Sequence, residues 1–188
     1  MPRAGLTPAV VVARASELAD ETGFSQLTLA AVAQRLGVAL PSLYKHVRGL
    51  DDLQRQIAAQ ALRELTDTIT RATAGRSRTT ALRALAGAYW DYAHAHPGGY
   101  AATLRAPSSD DPESALVAGQ LLDVVYAVLE GYGIEGDDAV DATRTVRALL
   151  HGFVALEAVG AFGMARDVRA SFDRAIDALD KSLAGWSG

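Results

Sequence analysis

The 188-residue chain contains no cysteine, which excludes disulfide scaffolds, thiolate metal sites and cysteine nucleophiles. Long apolar runs are also missing. The longest stretches without a charged side chain, Thr22–Gln34 and Tyr92–Leu104, are well short of a membrane span and contain polar residues. The apolar run Pro8–Ala13 is followed at once by Arg14 and then Glu17, which favours a helix over a signal peptide. We therefore expect a cytoplasmic protein with a hydrophobic core and no membrane segment.

Acidic residues outnumber basic ones by 22 to 18, but the excess is uneven along the chain. Residues 1–50 hold five Lys and Arg against three acids, whereas the remaining residues hold 13 against 19. A mildly basic head on an acidic body would approach a polyanion such as DNA head first.

The apolar pattern predicts an all-α fold, because apolar residues recur at spacings of three and four and no long segment alternates as a strand does. Thr7, Thr28 and Asp51 are predicted N-caps, and Pro97-Gly98-Gly99 is predicted to end the fifth helix. The predicted helices cover residues 8–22, 28–35, 41–49, 51–73, 80–96, 112–130, 137–164 and 168–183.

The segment 28–49 has the features of two short helices packed around a tight turn. Ala33 is small where the helices would cross, Gly37 suits the reversal, and Pro41 suits the first turn of the second helix. The second helix is too short to be held by propensity and would be fixed by its apolar side. Its outward polar residues indicate a DNA-reading helix rather than a plain hairpin in a bundle. These residues are Ser42, Tyr44, Lys45 and His46, flanked by Thr28 and Arg48.

The stretch Leu-Thr-Leu-x-x-Val-Ala-x-x-Leu-Gly-Val at 27–38, followed by Pro-Ser-Leu-Tyr-Lys-His-Val at 41–47, closely resembles the TetR family of transcriptional regulators. The resemblance is strong over about residues 7–55. It implies a homodimer whose heads, residues 1–50, bind a palindromic operator. It also implies that the bodies, residues 51–188, dimerise and bind a small-molecule effector.

The same resemblance implies roles for the candidate DNA-binding residues. Pro41, Ser42 and Tyr44 would meet the bases or the sugar-phosphate backbone, while Lys45 and His46 would meet phosphates. Thr28 would offer a phosphate its hydroxyl and the N-terminus of its helix. Two positions depart from the family pattern: Leu40 replaces a base-reading polar residue of some relatives, and Leu50 replaces a phosphate-binding lysine, for which Arg48 is the candidate substitute.

The second half resembles the TetR-family bodies of the WHG type over residues 150–163, although Leu150 stands in place of the tryptophan that names the type. We expect the effector cavity between the helices that carry the body's aromatic and titratable residues. The candidate ligand-binding residues are Tyr89, Trp90, Tyr126, His151, Phe153 and Glu157. An apolar stripe on the last helix is either ordinary core or, as the family implies, part of a four-helix dimer interface. The candidate interface residues are Val154, Ala161, Phe172, Ile176, Leu179 and Leu183.

Two other functions remain open at this point. The loop Gly131–Gly136 fits the G-x-G-x-x-G pattern of a nucleotide-dependent enzyme, although the preceding residues have helical rather than strand spacing. A helical ligand-binding protein without DNA binding is the other alternative. The sequence favours a non-enzymatic repressor without cofactor or metal, and it leaves activation of transcription open.

Overall fold

The structure is a computed structural model that describes residues 6–105 and 112–186. These residues form nine α-helices and a 3₁₀ turn at Phe24–Gln26, and they include no strand, which confirms the predicted all-α class. Within the same ranges every helix is too short or too polar to span a membrane. The helices are α1 Pro8–Thr22, α2 Leu29–Leu36, α3 Leu40–Leu43, α4 Leu50–Thr73, α5 Arg78–Ala95, α6 Pro97–Thr103, α7 Pro112–Glu130, α8 Gly136–Ala158 and α9 Val168–Ala184.

The chain divides into two compact units. The described part of the first unit consists of residues 6–64, 95–105 and 112–118, and the second of residues 65–94 and 119–186. Helix α4 contributes to both. The boundary predicted after residue 50 therefore falls inside the first unit, which also includes α6.

The predicted caps of the N-terminal helices are confirmed. The Thr7 hydroxyl accepts a hydrogen bond from the Val10 amide at 3.3 Å, and Pro8 occupies the first turn of α1. The Thr28 hydroxyl accepts one from the Ala31 amide at 3.1 Å. Gly37 ends α2 at φ +66°, a left-handed conformation that favours glycine. These contacts fix where α1 and α2 begin and where α2 reverses.

Side chains of α1, α2, α3, α4 and α6 form a hydrophobic core among the described residues of the first unit. Burial of these side chains holds the short helices α2 and α3, since helices of eight and four residues are not stable alone. The core side chains include Val11, Ala15, Leu27, Val32, Leu43, Val47, Leu53, Ile57 and Ala102.

Helix α6 was not predicted, because Pro97-Gly98-Gly99 looked like the end of the preceding helix. Instead α5 ends at Ala95, and Pro97 occupies the first turn of α6. The Asp20 carboxylate accepts hydrogen bonds from the Gly98 and Gly99 amides at 2.8 and 2.9 Å, and it lies 3.3 Å from His96 Nδ1. Asp20, Gly98 and Gly99, here called the α1–α6 joint, tie α6 to the C-terminal end of α1.

In the second unit α8 is shorter than predicted. It ends at Ala158 instead of near Met164, and Gly160 adopts φ +67° just beyond it. Helix α9 begins at Val168 as predicted, with the Asp167 carboxylate accepting a hydrogen bond from the Arg169 amide.

A polar network joins three segments of the second unit. The Asp180 carboxylate on α9 accepts hydrogen bonds from the hydroxyls of Thr79 and Tyr132, at 2.7 and 2.5 Å. Burial alone would raise the pKa of Asp180, but these hydroxyls and the charges of Arg83 and Arg78 lower it below its usual value. Burial and the neighbouring carboxylate raise the pKa of Tyr132 above its ordinary range. The network therefore fixes the turn after α7 against α5 and α9.

The hydroxyl of Thr143 on α8 is buried without a hydrogen-bond partner among the described residues, and the residue is only 9% exposed. Because an unpaired buried hydroxyl is costly, we expect Thr143→Val, which keeps the side-chain shape, to raise the free energy of unfolding by about 1 kcal/mol. Thermal unfolding should show a Tm increase of roughly 2–4 °C. Thr145→Val is the matched control, because that hydroxyl donates to the Asp141 carbonyl at 2.9 Å. A Thr143→Val protein less stable than the parent would contradict this prediction.

Candidate functional site

The segment from Leu40 to Arg48, here called the recognition segment, is fixed by its apolar side chains. Helix α3 ends at Leu43, and the Leu43 carbonyl accepts hydrogen bonds from the His46 and Val47 amides at 2.8 and 3.0 Å. The side chains of Leu43 and Val47 are both buried in the core of the first unit. The helix is shorter than predicted, but the turn that follows it is held by the same two apolar side chains.

The opposite side of this segment is exposed. Tyr44 is 57% exposed, and Pro41, Lys45 and Arg48 are also exposed. Ser42 and His46 are half-buried. The structure thus brings the predicted DNA-contacting side chains onto one short segment with its apolar residues beneath.

Two more predicted residues lie at the edges of this surface. Thr28 is exposed at the N-terminus of α2, although its hydroxyl oxygen already accepts the Ala31 amide. Leu40 is exposed at the start of α3 and offers no polar atom on its side chain. Direct base reading through side-chain hydrogen bonds would therefore depend on Ser42, Tyr44 and the groups that follow.

The start of α4 differs from the prediction. The helix begins at Leu50, so Asp51, the predicted N-cap, lies within its first turn. The Asp52 carboxylate instead accepts a hydrogen bond from the Arg48 amide at 2.9 Å. This bond fixes the backbone of Arg48 and leaves its guanidinium exposed at the end of the recognition segment.

Helices α1 and α2 are joined on the surface of the first unit by an ion pair between Glu21 and Arg35. The hydrogen bond from Arg35 lowers the pKa of the Glu21 carboxyl below its usual value. Both side chains are exposed, so the pair contributes little to stability.

A wide groove of about 1070 Å³ lies beside the recognition segment, within the first unit. Its lining is predominantly polar and includes Lys45, His46 and Arg48 from the segment and Arg55 and Arg63 from α4. On α4, Arg55 forms ion pairs with Asp51 and Asp52, and Asp52 also lines the groove, so the positive charge of this surface comes mainly from Lys45 and Arg48. A positive surface of this kind attracts phosphate groups.

The predicted effector residues of the second unit do not form a single site. Trp90 stacks on His94 with ring centroids 4.4 Å apart, and it also contacts Phe172 at 4.5 Å. Phe153 meets the edge of Phe172 at 5.5 Å. The carboxylate of Glu157, which was expected to need a partner, lies 2.8 Å from His94 Nε2. Trp90, Phe153 and Glu157 are thus linked by His94 and Phe172 in one aromatic cluster.

Arg169 closes one edge of this cluster. Its guanidinium lies 5.4 Å from the centroid of the Trp90 ring and forms ion pairs with Asp91 and Asp173, each at 3.1 Å. Tyr89 is buried and His151 is half-buried. Arg169 was not among the predicted ligand-binding residues, because contacts over about 80 positions leave no local signal in one sequence.

Tyr126 lies apart from the aromatic cluster and lines a second groove, of about 570 Å³. This groove, here called the α7–α8 groove, is formed by Asp123 and Glu130 in the C-terminal half of α7, by Ile134 and Glu135 in the connection that follows, and by the first residues of α8. Trp90, Phe153 and Glu157 therefore lie in one place of the second unit and Tyr126 in another.

The predicted dimer residues require a correction. Four of the six lie on α9 and one on α8, and all five are buried within the single chain, so they have no surface left for a partner to cover. They are Val154, Phe172, Ile176, Leu179 and Leu183. The four residues on α9, here called the α9 stripe, therefore belong to the hydrophobic core within one chain. Ala161 is the only exposed residue of the six that were predicted.

The glycine pattern at residues 131–136 does not have the context of a dinucleotide site. It connects α7 to α8, whereas the dinucleotide fingerprint follows a parallel strand. Gly133 and Gly136 adopt φ +77° and +59°, which is enough to explain glycine at these two turn positions.

Two family models match this chain. Residues 11–61 match the model described as "Bacterial regulatory proteins, tetR family", and residues 82–179 match "Tetracyclin repressor-like, C-terminal domain". Among curated proteins, the HTH-type transcriptional regulator YobS of Bacillus subtilis is 36% identical over 177 residues, covering 93% of this chain and 91% of its own length. An HTH-type transcriptional regulator of Mycobacterium tuberculosis is 40% identical over 151 residues, covering 80% of this chain and 69% of its own length.

Solved structures have the same fold. A protein of unknown function from Rhodococcus sp. RHA1 superposes with a TM-score of 0.79 at 26% identity, covering 97% of this chain and 98% of its own. A TetR variant from Acinetobacter baumannii AYE in complex with minocycline superposes with a TM-score of 0.74 at 24% identity, covering 98% of this chain and 99% of its own. The exposed recognition segment and the family matches to both parts of the chain lead to one conclusion: this chain belongs to the TetR family of transcriptional regulators, with a DNA-binding helix-turn-helix and a C-terminal ligand-binding domain.

Proposed function

We propose that this regulator is a cytoplasmic repressor that binds a palindromic operator as a homodimer and is released from it by a small-molecule effector. The observation that carries the proposal is the exposure of Tyr44 and Lys45 on a segment whose Leu43 and Val47 are buried. This arrangement presents a rigid polar surface of the size that enters a major groove.

Each DNA-binding residue has a role in this proposal that follows from its position. Tyr44 and Ser42 contact base edges or the adjacent sugar-phosphate backbone, and Pro41 packs against the sugars. Lys45, His46 and Arg48 contact phosphates. Arg48 takes the role of the phosphate-binding lysine that other family members carry at the position of Leu50. Thr28 presents the amides at the start of α2 to a phosphate. Leu40 can contribute only an apolar contact, such as one with a thymine methyl.

The homodimer requires a surface other than the α9 stripe. Large apolar side chains are exposed at the C-terminal end of α8 and in the segment after it: Leu156, Val159 at 77% and Met164 at 84%. Ala161 lies between the last two. Because a two-fold interface buries the same patch of both subunits, we assign the dimer contact to this exposed apolar surface.

Release by an effector requires that the effector bind two states of the protein with different affinities. Helix α4 is common to both units and directly follows the recognition segment, so it is the element through which we expect a change in the body to reach the head. The α1–α6 joint offers a second connection, since α6 follows α5 after a single residue, His96. The aromatic cluster and the α7–α8 groove are the two candidate effector sites.

Selection of binding sequences from a random double-stranded DNA pool tests this function without knowledge of the operator. We expect an inverted repeat bound by two subunits. On that sequence Tyr44→Ala should weaken binding about tenfold or more, because a base-reading contact is worth roughly 1–3 kcal/mol, and much less on unrelated DNA.

Arg144→Ala is the control for this substitution, since Arg144 is an exposed large side chain of the second unit outside both candidate effector sites. A selected site without two-fold symmetry would contradict the dimer, and equal losses on selected and unrelated DNA would contradict base reading by Tyr44.

A further inference from the structure

The groove beside the recognition segment contains a carboxylate, that of Asp52, among side chains that attract phosphates. Lys45 and Arg48 line the same groove. An acid at this place repels the phosphates that its neighbours attract, so its charge alone would weaken DNA binding. Asp52 is also turned inward, since its side chain is 19% exposed against 62% for the adjacent Asp51. Its contacts therefore have to explain why an acid occupies this position.

Both oxygens of the Asp52 carboxylate have partners. Its Oδ2 accepts hydrogen bonds from the Arg48 amide at 2.9 Å and from Gln56 Nε2 at 3.0 Å. Its Oδ1 lies 3.5 Å from a guanidinium nitrogen of Arg55, which offsets part of the negative charge. Asp52 is the third residue of α4, a position from which an acid often reaches back to an amide that precedes the helix.

Arg48 lies between two parts of the backbone that are already fixed. Before it, the His46 and Val47 amides donate to the Leu43 carbonyl, and after it the Gly49 carbonyl accepts the Leu53 amide at 3.1 Å. The amide of Arg48 itself is bonded to Asp52. Because glycine has the least restricted backbone of all residues, the chain could rotate at this junction if the bond to Asp52 were lost.

The side chain of Arg48 depends on its backbone for its position. It is exposed, and within residues 6–105 and 112–186 its guanidinium forms no hydrogen bond or ion pair. A long side chain loses conformational freedom when it binds a phosphate, and it loses less when its starting point is already ordered. Fixing the backbone of Arg48 therefore favours any contact that its guanidinium makes with DNA.

From these observations we infer that Asp52 is a positioning residue for DNA binding. It holds the backbone of Arg48 so that the guanidinium reaches a phosphate of the operator, and this gain exceeds the repulsion between its own charge and the DNA. The inference rests on the proposed function for the contact between Arg48 and a phosphate, but not for the bond between Asp52 and the Arg48 amide.

The sign of the effect on operator affinity tests this role, with fluorescence anisotropy at about 150 mM salt as the measurement. Asp52→Ala should weaken binding roughly three- to tenfold, although it removes a negative charge from the DNA-binding surface. Asp52→Asn also removes the charge but keeps an oxygen that can accept the Arg48 amide, so it should bind at least as tightly as the parent. Asp51→Ala removes the same charge from the same helical turn without touching Arg48, and it should not weaken binding.

A double-mutant cycle with Arg48 separates positioning from a general loss of structure. In an Arg48→Ala background, Asp52→Ala should change the affinity by less than about twofold, because no guanidinium is left to position. A destabilised first unit would instead weaken binding in both backgrounds. The slope of log affinity against log salt should fall for Asp52→Ala toward that of Arg48→Ala, by up to about 0.9 per head.

Hydrogen exchange of the free protein, followed by NMR, tests the bond without DNA. The Arg48 amide should exchange about tenfold faster or more in Asp52→Ala, and within about threefold of the parent rate in Asp52→Asn. The His46 and Val47 amides are bonded to the Leu43 carbonyl and should keep their rates in both variants.

The outcomes distinguish this inference from the proposed function. An Asp52→Ala protein that binds the operator as tightly as the parent, or one that loses affinity equally in both backgrounds, would overturn the positioning role and leave the repressor proposal standing. Unchanged exchange of the Arg48 amide in Asp52→Ala would also overturn it. A parent protein that binds no DNA would overturn the proposed function and the role of Asp52 together, while the exchange rates would still report the bond itself.

Discussion

Replacement of Gly98 by alanine is expected to destabilise the first unit, although it adds a single methyl group. A Cβ atom at this position would lie 2.2 Å from the carbonyl carbon of Ala19 and 2.5 Å from the amide nitrogen of Asp20. Both are backbone atoms of α1, so the clash cannot be relieved by rotating a side chain. Helices α1 and α6 must separate, and the Asp20 hydrogen bonds to Gly98 and Gly99 lengthen.

We expect Gly98→Ala to lower the free energy of unfolding by about 2–4 kcal/mol and the Tm by roughly 5–15 °C. The same substitution at Gly119, in helix α7, is the control. A Cβ there would meet no atom within 4 Å, so Gly119→Ala should stabilise the protein by about 0.5–1 kcal/mol through helix propensity. A Gly98→Ala protein as stable as the parent would show that α1 and α6 are not packed as described.

Two glutamate substitutions in the second unit distinguish its core from its proposed dimer surface. Ile176→Glu would place a carboxylate at a position that is buried within the chain. An unpaired buried charge costs several kcal/mol. We therefore expect the free energy of unfolding, typically about 5–15 kcal/mol, to fall by more than about 4 kcal/mol. We expect insoluble or unfolded protein, detected by circular dichroism.

Val159→Glu should have a different effect, because Val159 is 77% exposed in the single chain. The variant should keep its helical spectrum and shift from dimer to monomer in light scattering at micromolar concentration. Thr145→Glu, at an exposed position on α8, is the control and should remain dimeric. A folded, monomeric Ile176→Glu protein would place the α9 stripe at the interface instead, and a dimeric Val159→Glu protein would exclude the surface proposed here.

Local signals were sufficient to predict most of the first three helices. Thr7, Thr28 and Gly37 act through bonds or dihedral angles within four residues, so the sequence around each carries the information. The segment Pro97-Gly98-Gly99 was misinterpreted for the opposite reason. Pro and Gly often end helices, and the bond that makes them a helix start comes from Asp20, 78 positions away.

The apolar stripe on α9 shows a second limit of sequence patterns. Its spacing predicted a buried face correctly, but a pattern of apolar residues does not say whether the covering surface belongs to the same chain or to a partner. The same limit applies to the predicted ligand-binding residues, because their sequence pattern does not show which neighbours surround each side chain. Trp90 and Tyr126 are both aromatic residues on helices, and only the tertiary structure places one against Phe172 and the other in the α7–α8 groove.

The most direct test of the central claim, that the exposed recognition segment binds DNA, uses the two lysines of the chain, Lys45 and Lys181. The affinity for the selected operator is measured by fluorescence anisotropy over about 50–200 mM salt. Lys45→Ala should weaken binding at every salt concentration and reduce the slope of log affinity against log salt by about 0.9 per head, or about two for a dimer. Lys181→Ala, an exposed lysine on α9, should leave affinity and slope unchanged. Equal slopes for the parent and Lys45→Ala would contradict the claim.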